Sequence, residues 1–292
     1  MKIIIDENAG FCWGVVQTIE KVEKALEENP DKNVSVIGEI IHNTLEIKRL
    51  EEKKLSTINY EDIEKLDSKN SITVIRAHGE PPKTYNALNK NNITFIDATC
   101  PLVKKLQEKI RYYYLEGWQI IIYGKYEHAE VIGLRGVCND ECIVVRKAEE
   151  IENKIDFSKK IMLCSQTTMD KDGLFKIKDF IESKIAATDI KNNFIFKNTI
   201  CNFVSNREEG LRKFAKQHEL IIFVAGRNSS NGKVLFGICK SENENSIFIE
   251  NFSELNIEQI KQFNNIGITG ANSTPKWVLE EIKNNLTSQL VF

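Results

Sequence analysis

Three cysteines carry the chemistry this chain can do. Cys12 lies in GFCWGVVQTIEKVEKAL, Cys100 in DATCPLVKKLQEKIRYYY and Cys201 in NTICNFVSNREEGLRKFAKQ, and each closes a short apolar run and opens a segment with helical spacing of apolar residues. Thiolates are soft ligands, and three of them brought to one place suit a soft metal better than a disulfide framework. An iron–sulfur cluster normally takes four, so three would leave one iron open to a substrate. Zinc completed by an imidazole or a water is a second reading, although widely spread ligands lack the close C-x2-C pairs of most zinc sites. Three buried core thiols are the third.

Around these cysteines the chain repeats a second set of polar residues. His42, His78, His128, Glu130, Gln166, Thr167, Ser229, Ser230, Asn231, Asn272 and Ser273 all fall in short segments that follow apolar runs. Hydroxyls, amides and imidazoles beside helix amino termini, such as the one opened by Thr274-Pro275, suit a phosphate or diphosphate. Taken alone, each histidine is compatible with a packing role and Asn-Ser-Ser-Asn with a turn. Glu130 stands apart, because a carboxylate beside an anion is repelled unless it holds a proton, and a raised pKa is what a proton donor near neutral pH needs. A salt-bridged loop residue is the alternative for it. The fourth histidine, His218, reads as a surface residue of a helix.

The elements that must position these groups recur in order. From each cysteine to the glycine ending the next apolar run is 26 residues (Cys12 to Gly38), 24 (Cys100 to Gly124) and 25 (Cys201 to Gly226). From that glycine to a polar loop is 40 (to His78), 42 (to Gln166) and 46 (to Asn272). Such regularity is an internal repeat of strand, helix, strand, helix, strand, and the order predicts parallel sheets with crossover helices. The third repeat ends without its last strand, whereas residues 2–6 form an unclaimed strand leading to Cys12, so the amino terminus is expected to complete the third sheet. The fold expected is α/β, three similar parallel-sheet domains about a pseudo-threefold axis. The domains would span residues 14–99, residues 100–196, and residues 1–13 with 197–292. Each cysteine then sits at the carboxyl end of a strand, the edge where open α/β sheets bind ligands.

The whole chain narrows the field further. It has 292 residues with 40 Lys+Arg against 42 Asp+Glu, scattered rather than blocked, which argues against nucleic-acid and membrane partners. Seven cysteines, an odd number with no export signal at MKIIIDENAGF, fit reduced thiols in the cytoplasm. Cys138 and Cys142, spaced C-x3-C, read as incidental thiols rather than a second metal site, and Cys164 and Cys239 as core.

In combination the motifs GFCWGV, GEIIHN, AHG, DATCPLV, HAEV, SQTT, NTIC, NSSN and NSTP resemble the LytB family, the 4-hydroxy-3-methylbut-2-enyl diphosphate reductases of the methylerythritol phosphate route to isoprenoids. The resemblance runs nearly end to end and implies a cloverleaf around a [4Fe–4S] cluster held by Cys12, Cys100 and Cys201. It implies a diphosphate pocket of His42, His78, His128, Ser229, Ser230, Asn231 and Ser273, with Thr167 touching the substrate hydroxyl and Glu130 as proton source, so that Glu130, Thr167 and His128 are the catalytic candidates. The reaction implied is reductive dehydroxylation of (E)-4-hydroxy-3-methylbut-2-enyl diphosphate to isopentenyl and dimethylallyl diphosphate. Its two electrons would come through the cluster from a ferredoxin or flavodoxin, since the chain has no G-x-G-x-x-G dinucleotide fingerprint. Trp13, Arg76, Lys125 and Ala129 depart from the family's usual wording, Trp13 as a shield at the first ligand and Arg76 and Lys125 as added positive field for a diphosphate, or each as a local packing or surface change. A non-catalytic iron–sulfur protein and a zinc-dependent hydrolase of phosphorylated metabolites are the competing functions.

Overall fold

The computed structural model describes residues 1–152, 154–186 and 193–290. Residues 153, 187–192 and 291–292, which fall in the second and third expected domains, lie outside the described residues.

In chain order, β1 (Lys2–Ile5) leads to α1 (Trp13–Glu28), β2 (Asn33–Ile37), α2 (Thr44–Glu52), β3 (Ser56–Ile58), β4 (Ser71–Ile75), α3 (Pro82–Lys90) and β5 (Thr94–Asp97). The second round is α4 (Pro101–Leu115), β6 (Gln119–Tyr123), α5 (Ala129–Gly136), β7 (Ile143–Val145), β8 (Ile161–Ser165), α6 (Lys171–Ala186) and β9 (Phe194–Phe196). The third is α7 (Asn202–Lys216), β10 (Leu220–Val224), α8 (Ser230–Glu242), β11 (Ser246–Ile249), α9 (Ile257–Ile260), β12 (Asn265–Gly270) and α10 (Lys276–Leu290). In each round a 3-10 turn follows the short strand: Tyr60–Lys65, Ala148–Glu150 and Phe252–Glu254.

These strands build three four-stranded sheets of one topology: β3-β2-β4-β5, β7-β6-β8-β9 and β11-β10-β12-β1. The last shows the amino terminus closing the third repeat, since β1 pairs parallel with β12, Lys2 opposite Asn265 and Ile5 opposite Ile268. The edge strands β3, β7 and β11 were not legible in the sequence: they are three or four residues long, too short for an alternating pattern to stand out.

By contact the chain divides into two compact units, Met1–Pro30 with Glu39–Thr57 and Asn202–Phe292, and Asp31–Gly38 with Ile58–Cys201. In the first, the β10–β12 core is apolar on both faces, as a parallel sheet covered twice must be. Ile222, Val224, Ile266 and Ile268 pack with Val278, Leu279 and Ile282 of α10, while Ile221 and Phe223 pack with Leu211 of α7 and Leu235 of α8. In the second unit β6 and β8 alternate likewise. Ile121 and Leu163 meet Leu174 and Ile177 of α6, and Ile120, Ile122 and Met162 meet Leu106 and Ile110 of α4 and Leu134 of α5. Each such side chain taken from water contributes about 1.5–3 kcal/mol, which fixes the strand ends and the loops they deliver.

Candidate functional site

In the second unit the chemistry gathers at the carboxyl ends of the strands. After β6, His128 caps α5: its Nδ1 accepts the N–H of Glu130 at 3.2 Å. A ring nitrogen that accepts carries no proton, so in the neutral imidazole the proton is on Nε2. His78, in the loop after β4, meets the His128 ring edge-on with centroids 5.3 Å apart. That loop turns sharply at Gly79, whose φ of +70° is the left-handed region that glycine tolerates best.

Glu130 lies one position into α5, 1 % exposed. One carboxylate oxygen accepts the backbone N–H of Thr167 at 2.7 Å and the other the Thr167 hydroxyl at 2.8 Å. No cation forms an ion pair with it among the described residues, so the salt-bridged alternative does not apply. Burial raises its pKa from 4.5 to about 7, against the two Thr167 hydrogen bonds, which lower it. Burial therefore lets this carboxyl hold a proton at a pH where an ordinary glutamate has lost it. With the proton on, the second hydrogen bond reverses: the acid donates to the Thr167 oxygen and the threonine hydrogen is released toward a third group.

Cys100 and Cys201 share this unit, both half-buried. Cys100 is the residue before Pro101, which opens α4 where a missing N–H costs nothing. The next amides, Leu102 and Val103, donate to its sulfur, an arrangement that favours a thiolate. Burial nonetheless raises the thiol pKa, and the nearby Cys201 and Glu130 charges add to it. The backbone N–H of Cys100 donates to Ala77 O at 3.0 Å, and that of Cys201 to Thr167 O at 2.9 Å.

The first unit repeats the geometry. Cys12, half-buried at the amino end of α1, donates its N–H to Asn272 O at 3.1 Å. Ala77, Thr167 and Asn272 each stand two residues past the end of β4, β8 and β12, so the three cysteines are anchored alike. Asn272 N–H donates in turn to Asn231 Oδ1 at 2.8 Å, which fixes the amide. Asn231 Nδ2 is buried with no hydrogen-bond partner, a donor that a ligand oxygen would satisfy. Ser229 caps α8 through Gly232 N at 2.9 Å, which places Ser230 and Asn231 in its first turn. Ser273 donates to His42 O at 3.4 Å, and His42 Nδ1 lies 3.1 Å from Glu39 Oε2. Gly226 lies against the same carbonyl, where an added Cβ would stand 2.4 Å from His42 O.

Comparison with known proteins decides the lineage. Residues 3–287 match the family described as LytB protein. The chain belongs to the LytB family. Its relatives include the 4-hydroxy-3-methylbut-2-enyl diphosphate reductase of Bacteroides fragilis, 45 % identical over 294 residues and covering 99 % of each chain. That of Chloroherpeton thalassium is 44 % identical, covering 98 % of this chain and 96 % of its own. Among solved structures, one described as (E)-4-hydroxy-3-methyl-but-2-enyl diphosphate reductase, the terminal enzyme of the non-mevalonate pathway, superposes with TM-score 0.72 at 32 % identity, covering 98 % of this chain and 99 % of that one. The E-1-hydroxy-2-methyl-but-2-enyl-4-diphosphate reductase from Plasmodium falciparum gives 0.86 at 28 % identity, covering 98 % and 88 %.

Several other side chains of this LytB chain have defined places. The Arg76 guanidinium is committed to Glu80 at 3.1 Å and packs over Gly38, so it is a local ion pair rather than free positive field. Trp13 is 53 % exposed at the first position of α1. His218 is neither helical nor exposed: it follows α7, is 8 % exposed, and its ring lies on Phe214 with Nδ1 2.8 Å from Phe214 O. Gln166 ties loops, accepting Lys125 N–H at 3.1 Å and donating to Thr168 at 2.7 Å. Sequence reasoning missed Arg207, which from inside α7 donates to Gly270 O and Asn272 Oδ1 at 2.9 Å and to Asp6 and Thr269 at 3.2 Å. An arginine amid the charges of NREEGLRK looks like a solvated face.

Proposed function

We propose that this LytB chain reductively removes the hydroxyl of (E)-4-hydroxy-3-methylbut-2-enyl diphosphate, giving isopentenyl and dimethylallyl diphosphate, the activity for which its relatives are named. Cys12, Cys100 and Cys201 would hold a [4Fe–4S] cluster. Their fit to it rests on the donor set, three half-buried thiols each at a helix amino terminus with the same backbone anchor, two of them felt by one another. When bound, the cluster supplies two electrons, one at a time, and a Lewis-acidic iron open to the substrate oxygen.

The chain's own residues do the rest. Asn231 Nδ2, the Ser229, Ser230 and Ser273 hydroxyls and the imidazoles of His42 and His78 bind the diphosphate, with the α8 amino terminus favouring its charge. His128 offers Nε2–H as a further donor while its other nitrogen orients Glu130. Glu130 holds the proton and passes it through the Thr167 hydroxyl to the departing oxygen, which leaves as water. Domains of residues 14–99, 100–196, and 1–13 with 197–292 present these groups. A ferredoxin or flavodoxin in the cytoplasm supplies the electrons. Among the described residues no helix is long and apolar enough to cross a membrane.

The observation that carries this reading is the Glu130–Thr167 pair: a fully buried acid poised at about 7, without a cation, near enough to Cys100 to act on its charge. Anaerobic assay of reconstituted protein with a chemical reductant and the hydroxymethylbutenyl diphosphate tests it, with both products expected. Protein carrying its full iron and sulfide but consuming no substrate would rule the function out.

A further inference from the structure

A second group of cysteines lies away from the three already considered. Cys138 follows the end of α5 and Cys142 precedes β7, joined by a turn in which Asn139 (φ +53°) and Asp140 (φ +62°) are both left-handed. That reversal brings the two side chains into one apolar cluster with Leu106, Ile110, Ile120 and Ile122, where each thiol acts on the other's ionisation. Neighbours pin the turn. Arg135 pairs with Asp140 at 2.7 Å and stacks on the Tyr126 ring at 3.5 Å, and Tyr114 of α4 donates to Glu141 at 2.7 Å and accepts from Asn139 at 3.3 Å.

The two sulfurs are unequal. Cys138 is 0 % exposed, and its S–H points at the carbonyls of Arg135 (3.2 Å) and Leu134 (3.5 Å). Cys142 is only half-buried. Interaction with Cys138 and the Arg135 charge hold its pKa below the ordinary thiol value, while Cys138 is pushed up by Cys142 and by burial. One half-buried, thiolate-prone sulfur sharing a cluster with one protected sulfur is the arrangement of an attacking and a resolving thiol.

We propose that Cys138 and Cys142 are a reversible redox pair that closes to a disulfide by exchange with a small-molecule disulfide. Cys142 thiolate attacks one sulfur of the reagent, forming a mixed disulfide and releasing one small thiolate. Cys138 then gives up its proton and displaces the second, so that the protein sulfurs lose two electrons, the reagent gains them, and the thiol protons leave on the two small thiols. The reversal at Asn139 and Asp140 and the shared cluster keep the two side chains on one side of the turn, where rotation about their side-chain bonds can bring the sulfurs to disulfide separation. The pair sits at the far ends of α4 and α5, the helices whose first turns follow Cys100 and carry Glu130.

The sequence provides a clean readout, since trypsin releases Gly136–Arg146, which contains these two cysteines and no other. Native full-length protein is equilibrated with reduced and oxidised glutathione, quenched with an alkylating agent, digested and weighed. We expect that peptide unalkylated and lighter by two hydrogens, restored to two alkylatable thiols by dithiothreitol. In brief native alkylation Cys142 should react about tenfold or more faster than Cys138. A Cys138→Ser protein should keep glutathione on Cys142, while Cys142→Ser takes none on Cys138. A wild-type peptide that stays dithiol, or that stops at a glutathione adduct, would overturn the proposal, as would equal labelling of the two cysteines.

Discussion

Replacing Glu130 by Gln separates the proton from the shape of the side chain that holds it. In the wild-type protein one oxygen is fixed by Thr167 N–H at 2.7 Å and the other faces the Thr167 hydroxyl at 2.8 Å. Glutamine can keep both contacts, accepting the first and donating the second, which reproduces the neutral acid without its transferable proton. Loss of a general acid lowers kcat by about 10²–10⁴. Stability should move the other way. Moving the Glu130 pKa from 4.5 to about 7 corresponds to about 3 kcal/mol between its protonated and ionised forms. The folded chain binds this proton more tightly than the unfolded chain, so the stabilisation is complete below about 4.5 and is lost as pH rises through about 7. The variant lacks that loss. Urea midpoints measured anaerobically from about pH 5 to pH 8 should fall for wild type relative to Glu130→Gln, leaving the variant the more stable at the alkaline end. Turnover with the hydroxymethylbutenyl diphosphate should collapse in the same variant, and wild-type kcat/KM should decline above about 7. A variant as active as wild type, or one less stable at alkaline pH, would refute the assignment of this carboxyl as a buried proton store.

Other substitutions read separate parts of the site. Thr167→Val removes a hydrogen bond that lowers the Glu130 pKa, so the alkaline limb of the rate profile should move to higher pH while kcat falls; a limb that stays in place would disconnect the two residues. Asn231→Asp keeps the acceptor for Asn272 N–H but turns the partnerless donor into an anion, and KM for the diphosphate should rise by about 10–100-fold in steady-state assay. Arg207→Met leaves the Asp6 carboxylate, 6 % exposed, without its cation and should cost about 3–5 kcal/mol by denaturant titration.

How far the sequence carried is clearest at particular positions. The central strands were legible because runs such as WQIIIYG and LIIFVAG end in glycine at nearly constant distance from a cysteine, and the unclaimed first strand foretold the β1–β12 pairing. The spacing put Glu130, Thr167 and Cys100 in one expected domain and Cys201 in the next, whereas by contact all four fall in one unit. Partners were harder to read. Nothing in the order of residues says that Arg76 will be neutralised by Glu80 or that Arg207 will reach Asp6, because those contacts depend on the packing of helices against strand ends. His218 misled for a related reason: helical spacing runs through it, yet α7 ends two residues earlier and the ring turns onto Phe214. Inequality between Cys138 and Cys142 likewise arises from a reversal at two left-handed residues.

The account stands most directly on what the three repeated cysteines hold. Iron and acid-labile sulfide should be measured per chain after anaerobic reconstitution, for wild type and for Cys12→Ser, Cys100→Ser and Cys201→Ser. About four of each are expected in the wild type, with substantial loss in every variant. Zinc without sulfide, or a full cluster that survives any one of these substitutions, would contradict it.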